Sequence, residues 1–309
     1  MIKILSLLFL NLTITAFSFC CSGQKNSDIR IYNRFVNRAE IAIIDSNYQN
    51  ARCLYDSAFK ELSKPFARDL YNAAVCDAIM LKYKDCYNKI IILLNKGLDF
   101  QYIKNNQAFK NFMRSRTAKK LNPILLYPGY NVYVRNLYDS INVTDQYFRK
   151  IFPTKYMDKY GDTICKIDAL NVKFMNELIE KYGWPDEDLI GISDLNSQPF
   201  DMIVIHQGNG AQCRIYDYTE DIRNAYENSQ IEVHRAAYLI MRSSLSDDFG
   251  LMKSGLVTIV FDSIGNFTKD KIDSFEHKSG FYPISIISKK IIDKNRNEFG
   301  LESIDELQR

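Results

Sequence analysis

The sequence predicts a mainly helical chain: a helix-turn-helix unit written twice near the amino end, then a mostly helical α+β half with one small β-hairpin. Three observations carry that prediction. Small and aromatic residues between Tyr32 and Leu98 repeat at a constant offset. Apolar residues of the second half fall at helical spacing between Gly and Pro stops. One β-branched run, Gly255 to Phe261, stands apart from both patterns.

In the first unit the repeated positions are Phe35, Ala39, Tyr48, Ala51, Tyr55 and Ala58. In the second they are Leu70, Ala74, Tyr83, Cys86, Ile90 and Leu93, each 35 positions later. A period near this length marks stacked helical hairpins, because one hairpin cannot bury its apolar side alone. The small residues let paired helices approach closely, and the aromatics fill the wedge between them. The spacing resembles the tetratricopeptide repeat, with Ser46 and Leu81 standing at the turn where that repeat carries glycine. An ordinary antiparallel helix bundle is the alternative arrangement. Two units leave an open apolar end, which a capping helix over Gln107 to Leu121, with Phe109, Phe112 and Met113 on one side, is expected to cover. Pro123, Pro128 and Gly129 then break the pattern. The repeats with their cap are therefore assigned to 31–121 and the second domain to 130–309.

In that second domain helices are expected over Val132 to Phe152 and Lys166 to Tyr182, the latter stopped by Gly183 and Pro185. Ser197 and Pro199 open a short helix carrying Phe200, Ile203 and Val204, which Gly208 and Gly210 end. One helix is expected over Tyr218 to Ser243. The β-branched run and Pro283 to Ile287 are the candidate strands of the hairpin, and Lys289 to Phe299 returns to helix with Gly300 as its stop.

The chain of 309 residues has 46% hydrophobic residues, enough for a sizeable core. Lys and Arg number 40 against 37 Asp and Glu, so bulk charge gives no case for nucleic acid. The run Arg114, Arg116, Lys119 and Lys120 reads as a solvated helix end. At the amino end Lys3 precedes an uncharged apolar run from Ile4 to Phe19 that stops at Cys20 and Cys21. That length suits a secretory signal. A cysteine straight after such a run resembles the bacterial lipoprotein signal, which implies lipidation at Cys20 or Cys21. Residues 1–21 are read as signal and 22–30 as a tether; plain secretion and a retained anchor are the alternatives. Cys53, Cys76, Cys86, Cys165 and Cys213 have irregular spacing and no CxxC pair, so buried thiols are expected rather than a disulfide framework.

No HExxH, Walker loop, GxGxxG or GxSxG is present. His206, His234 and His277 are scattered singly, so neither a metal site nor a cofactor is expected. Asp186, Glu187 and Asp188 read as the solvated first turn of a helix.

The second half does carry a recognisable order. Asp145-Gln146-Tyr147-Phe148-Arg149, then Asp168 and Asn171, then Lys181-Tyr182-Gly183-Trp184-Pro185, Gly191 and an apolar stretch ending at His206 resemble a bacterial domain of unknown function with DQxxR and KYGWP motifs. The resemblance extends to Arg296, Gly300 and Leu301, and it brings no established activity. Asp145 and Arg149, one helical turn apart, are candidates for a catalytic pair with His206; Gln146 and Trp184 are candidate ligand contacts. A structural ion pair, a corner plug and a helix-end cation are the competing readings.

Three functions follow from this reading. The first is an exported cell-envelope protein whose hairpins bind a protein or peptide, with Asn33, Val36, Glu40, Arg68, Tyr71, Asn72 and Val75 lining the concave face. The second is an enzyme or small-ligand binder with its site in the second domain. The third is a structural envelope component.

Overall fold

The computed structural model describes residues 29–121, 128–151, 156–193, 195, 198–208, 212–244 and, near the carboxyl end, 293–294, 296–297, 300–301 and 303. All regular structure among them is helical. The candidate signal, both candidate cysteines for lipidation and the two candidate strands lie outside the described residues.

The repeats form two helical hairpins, α1 (Ile29–Ile44) with α2 (Tyr48–Glu61) and α3 (Ala67–Ile79) with α4 (Tyr83–Asn95), and α2 packs on α3. Helix α1 begins at Ile29, so the last two residues assigned to the tether are already helical. The register repeats down to single hydrogen bonds. Asn47 N–H donates to the Ala42 carbonyl and Ser46 N–H to Ile43; 35 residues later Lys82 N–H donates to Asp77 and Leu81 N–H to Ala78. This is the Schellman ending, which needs a left-handed residue. Ser46 and Leu81 supply it at φ 57° and 59° without glycine.

Leu81 is 60% exposed, so its side chain contributes little packing to set against the strain of a left-handed Leu. Replacing it with Gly removes strain of roughly 1–2 kcal/mol and adds unfolded-state entropy of somewhat smaller size. Leu81→Gly is expected to stabilise by about 0.5 kcal/mol, read as a higher urea midpoint at unchanged slope. A lower midpoint would show that the turn is not strained.

The single capping helix is broken in the structure. A helix that the sequence reading did not foresee, α5 (Phe100–Asn105), precedes a 3₁₀ turn (Gln107–Phe109), α6 (Lys110–Met113) and a second 3₁₀ turn (Ala118–Lys120). Side chains that bond the backbone locally cause the breaks: Asn106 Oδ1 accepts from Ala108 N–H at 2.8 Å and Ser115 Oγ from Ala118 N–H at 3.1 Å. Phe109 and Phe112 are still fully buried, edge-on to Tyr71 and Tyr83 respectively.

In the second half α7 (Val132–Ile151) packs on α8 (Tyr156–Tyr182), which starts at Tyr156 rather than Lys166. Short α9 (Glu187–Ile190) and α10 (Asp201–His206) follow. The helix expected over Tyr218 to Ser243 is two, α11 (Thr219–Glu227) and α12 (Val233–Ser244). Ser229 adopts φ 59° and closes α11 as Ser46 closes α1, while the Glu232 carboxylate caps α12 by accepting from His234 and Arg235 N–H.

One apolar core runs from Ile29 to Leu301 through both halves. The acidic run expected to be solvated joins them instead. Asp186 caps α9, the Glu187 carboxylate accepts from Ala67 N–H at 2.8 Å, and Lys96 donates to Asp188 at 2.8 Å. These carboxylates follow the GWP corner, which aims them at the loop ahead of α3 and at the end of α4.

Candidate functional site

The residues assigned to the concave face of the hairpins are buried within the chain itself. Asn33, Val36, Glu40, Arg68, Tyr71, Asn72 and Val75 are all at most 3% exposed. Asn33 Nδ2 donates to Tyr226 Oη of α11 at 3.1 Å, and Arg68 lies 3.3 Å from Glu232 at the start of α12. The neighbouring Asn37 donates to the Gly300 carbonyl at 2.9 Å, and Tyr71 Oη accepts from Asn106 at 2.7 Å. In this structure the concave face is an internal interface: the second half, the cap and the Gly300 turn cover it.

A different set converges on α7, α8 and α10. Asp145 on α7 is 2% exposed and receives three side chains. His206 Nδ1, at the end of α10, is 3.0 Å from Asp145 Oδ1. Gln146 Nε2 donates to Oδ2 at 2.6 Å, and Arg149 Nη1 donates to Oδ1 at 3.1 Å and to the Asp145 carbonyl at 2.8 Å. The other nitrogen, Arg149 Nη2, forks onto both oxygens of Asp168 on α8 at 2.9 and 2.8 Å. Two carboxylates thus face one guanidinium and one imidazole. Burial pushes the Asp145 carboxyl up, but the bond to and charge of His206, with Arg149 and Gln146, outweigh it and hold it below its ordinary value. At Asp168 burial prevails over Arg149, and the carboxyl is raised.

Chemically, an ionised Asp145 on Nδ1 favours the tautomer with its proton there and leaves Nε2 as the basic nitrogen. The His206 side chain is 18% exposed, whereas those of Asp145 and Asp168 are nearly sealed. Proton exchange with a ligand would therefore pass through the imidazole.

Of the residues named from sequence, Asp145, Gln146, Arg149 and His206 come together and Trp184 does not. Trp184 is 5% exposed and packs edge-on against Phe200 at 5.3 Å between ring centroids, so it fills the corner rather than offering a stacking face. Asp168 completes the network. Its signal was its place in the motif order and its helical phase with Val172 and Met175, both buried.

Two further features fix α10, and the sequence reading missed both. Cys165 and Cys213 form a disulfide, with Cα atoms 5.0 Å apart, that ties the segment after α10 to α8 one turn before Asp168. Buried thiols describe Cys76 and Cys86, while Cys53 is exposed. Gly208, expected only to end α10, sits where a Cβ would collide with the Arg242 carbonyl of α12. Glycine is required there for close backbone approach, which sets the end of α10 against α12.

Among the described residues no cluster of three or more His, Cys, Asp or Glu side chains is placed to hold a metal ion, and no helix is long and apolar enough to cross a membrane. No known protein family, curated protein or solved structure matches this chain.

Proposed function

We propose that this protein is an exported, lipid-anchored cell-envelope protein whose second half binds and acts on a small polar ligand, with His206 as the acid–base group. The observation that carries this reading is the meeting of Asp145, Arg149, Asp168 and His206, drawn from three helices, with the imidazole as the solvent-facing member. Asp145 orients the ring, and Arg149 bridges the two carboxylates and fixes them in place. The hairpins then serve as scaffold, their concave face spent on holding α11 and α12. The apolar run ending at Cys20 and Cys21 supports export, and a disulfide between Cys165 and Cys213 suits an oxidising compartment.

The test is a panel of chromogenic esters, phosphoesters, amides and glycosides, with His206→Gln and Asp145→Asn as controls. Turnover in one class is expected, falling about 100-fold or more in both variants with the helical spectrum unchanged. Hydrolysis that His206→Gln leaves intact, or no turnover in any class together with an Nε2 that fails to titrate by ¹⁵N NMR, would overturn the acid–base role.

Peptide docking by the hairpins is the second reading. It is favoured by one contact, the Asn37 amide bonding the Gly300 backbone carbonyl as such a face would hold a peptide. It requires that the chain's own carboxyl-terminal turn give way to the partner.

A further inference from the structure

The cap that closes the hairpins segregates charge. From Phe100 to Tyr138 the sequence holds no Asp or Glu, and the cap alone carries Lys104, Lys110, Arg114, Arg116, Lys119 and Lys120. Of the 40 Lys and Arg, the 34 outside the cap are outnumbered by 37 Asp and Glu, so the positive excess of the whole chain resides in this one segment. Folding turns the segment into a surface. Ile103, Phe109, Phe112 and Ala118 enter the shared core, and all six cations stay exposed.

Among the described residues none of the six pairs with a carboxylate. The acids nearest along the chain are engaged elsewhere: Asp99, at the edge of the patch, caps α5 by accepting from Gln101 N–H at 2.8 Å, and Asp139 holds Arg135 at 2.9 Å. Lys82 and Lys84, exposed on either side of Tyr83, extend the patch where that ring meets Phe112 at 5.9 Å, and the intervening Asp85 is held by Arg52. Like charges gathered in this way repel one another and draw a polyanion. Tyr102, 40% exposed on α5, adds an aromatic of the kind that sits at lipid headgroup level.

Two ring contacts link the cap to the amino end. Tyr32 in the first turn of α1 meets Phe66 at 5.8 Å, and Tyr71 in the second turn of α3 meets Phe109 at 5.7 Å. Residues 22–28, between Cys21 and α1, span at most roughly 25 Å. A lipid on Cys20 or Cys21 would therefore keep the cap close to a bilayer.

We infer that the cap is a second membrane contact, docking on the anionic phospholipid headgroups of the bilayer that holds the amino-terminal lipid. The inference rests on the lipid-anchor part of the proposed function for its location and takes nothing from the His206 chemistry.

Cosedimentation of the full chain with two kinds of vesicle tests it, one of phosphatidylcholine alone and one of equal parts phosphatidylcholine and phosphatidylglycerol. Each basic side chain near an anionic surface strengthens binding roughly fivefold, so three of the six in contact give a preference for the anionic vesicles of about a hundredfold. Changing all six cations to Gln is expected to remove that preference with the helical spectrum unchanged. Lys119→Glu with Lys120→Glu, a smaller surface change, is expected to lower it at least tenfold and keeps the test decisive should the larger variant fold poorly. An uncharged anchor contributes alike to both vesicles, so an amino end found without lipid by mass spectrometry would sink the anchor reading and leave the ratio standing. The inference is overturned if the two vesicles bind alike, or if the six-fold variant folds and keeps the preference. It is overturned also if single-stranded DNA at equal phosphate concentration strips the chain from anionic vesicles, which would assign the patch to nucleic acid.

Discussion

Arg68→Ala is expected to lower folding stability by about 3–5 kcal/mol, the loss that follows removal of one partner from a buried ion pair. Arg68 is 3% exposed and faces three carboxylates: Glu40 at 3.0 Å, Asp69 at 3.0 Å and Glu232 at 3.3 Å. Tyr32 Oη adds a 2.6 Å bond to Asp69. Without the guanidinium these carboxylates lose the cation they share, at the surface where the hairpins meet α12. Burial already pushes the Asp69 carboxyl up despite Arg68. A group raised in the folded state favours folding fully below its unfolded value, about 4, and loses that contribution as pH rises through the native value. The deficit of Arg68→Ala should therefore be smaller near pH 5 than near pH 8, and Glu232→Gln should recover part of it. Urea titrations at both pH values measure this. A loss below about 1 kcal/mol would mean that water reaches the network and that the two halves are joined chiefly by apolar contact.

Replacing both Cys165 and Cys213 by Ala is expected to cost about 4 kcal/mol, the chain-entropy value for a bridge closing a 48-residue separation. The bridge spans most of α8, α9 and α10, so its loss frees the segment that presents His206 to Asp145. The expected signature is a lower urea midpoint in the double variant, a like fall on reducing the natural chain, and no further fall on reducing the variant. Cys76 and Cys86 give no background in the folded state, since burial pushes both thiols up, Cys76 to about 12. Equal stability of oxidised and reduced chains would show that packing of α10 against α7, α8 and α12 holds this region without the bridge.

The site was legible in part. Asp145 with Arg149 is readable from sequence because a helix sets their spacing by itself, and His206 was marked by its place at the end of an apolar helix. That Arg149 forks to Asp168, and that His206 lands on Asp145 sixty-one residues away, are facts of helix packing. Trp184 misled because a broad ring before a proline reads alike whether it stacks on a ligand or plugs a corner. The break after Glu227 was missed because Ser229 takes a left-handed turn with no glycine to announce it.

The sequence alone determined the two hairpins, their 35-residue register and the span of α7, since those depend on spacings within a few turns of one helix or between adjacent ones. Only the tertiary structure decided that α11, α12 and the Gly300 turn cover the concave face, that Cys165 meets Cys213, and that Glu187 reaches Ala67. Each of these joins residues tens to hundreds of positions apart. Such pairings are selected by how whole apolar faces close on one another, and no local spacing records that choice.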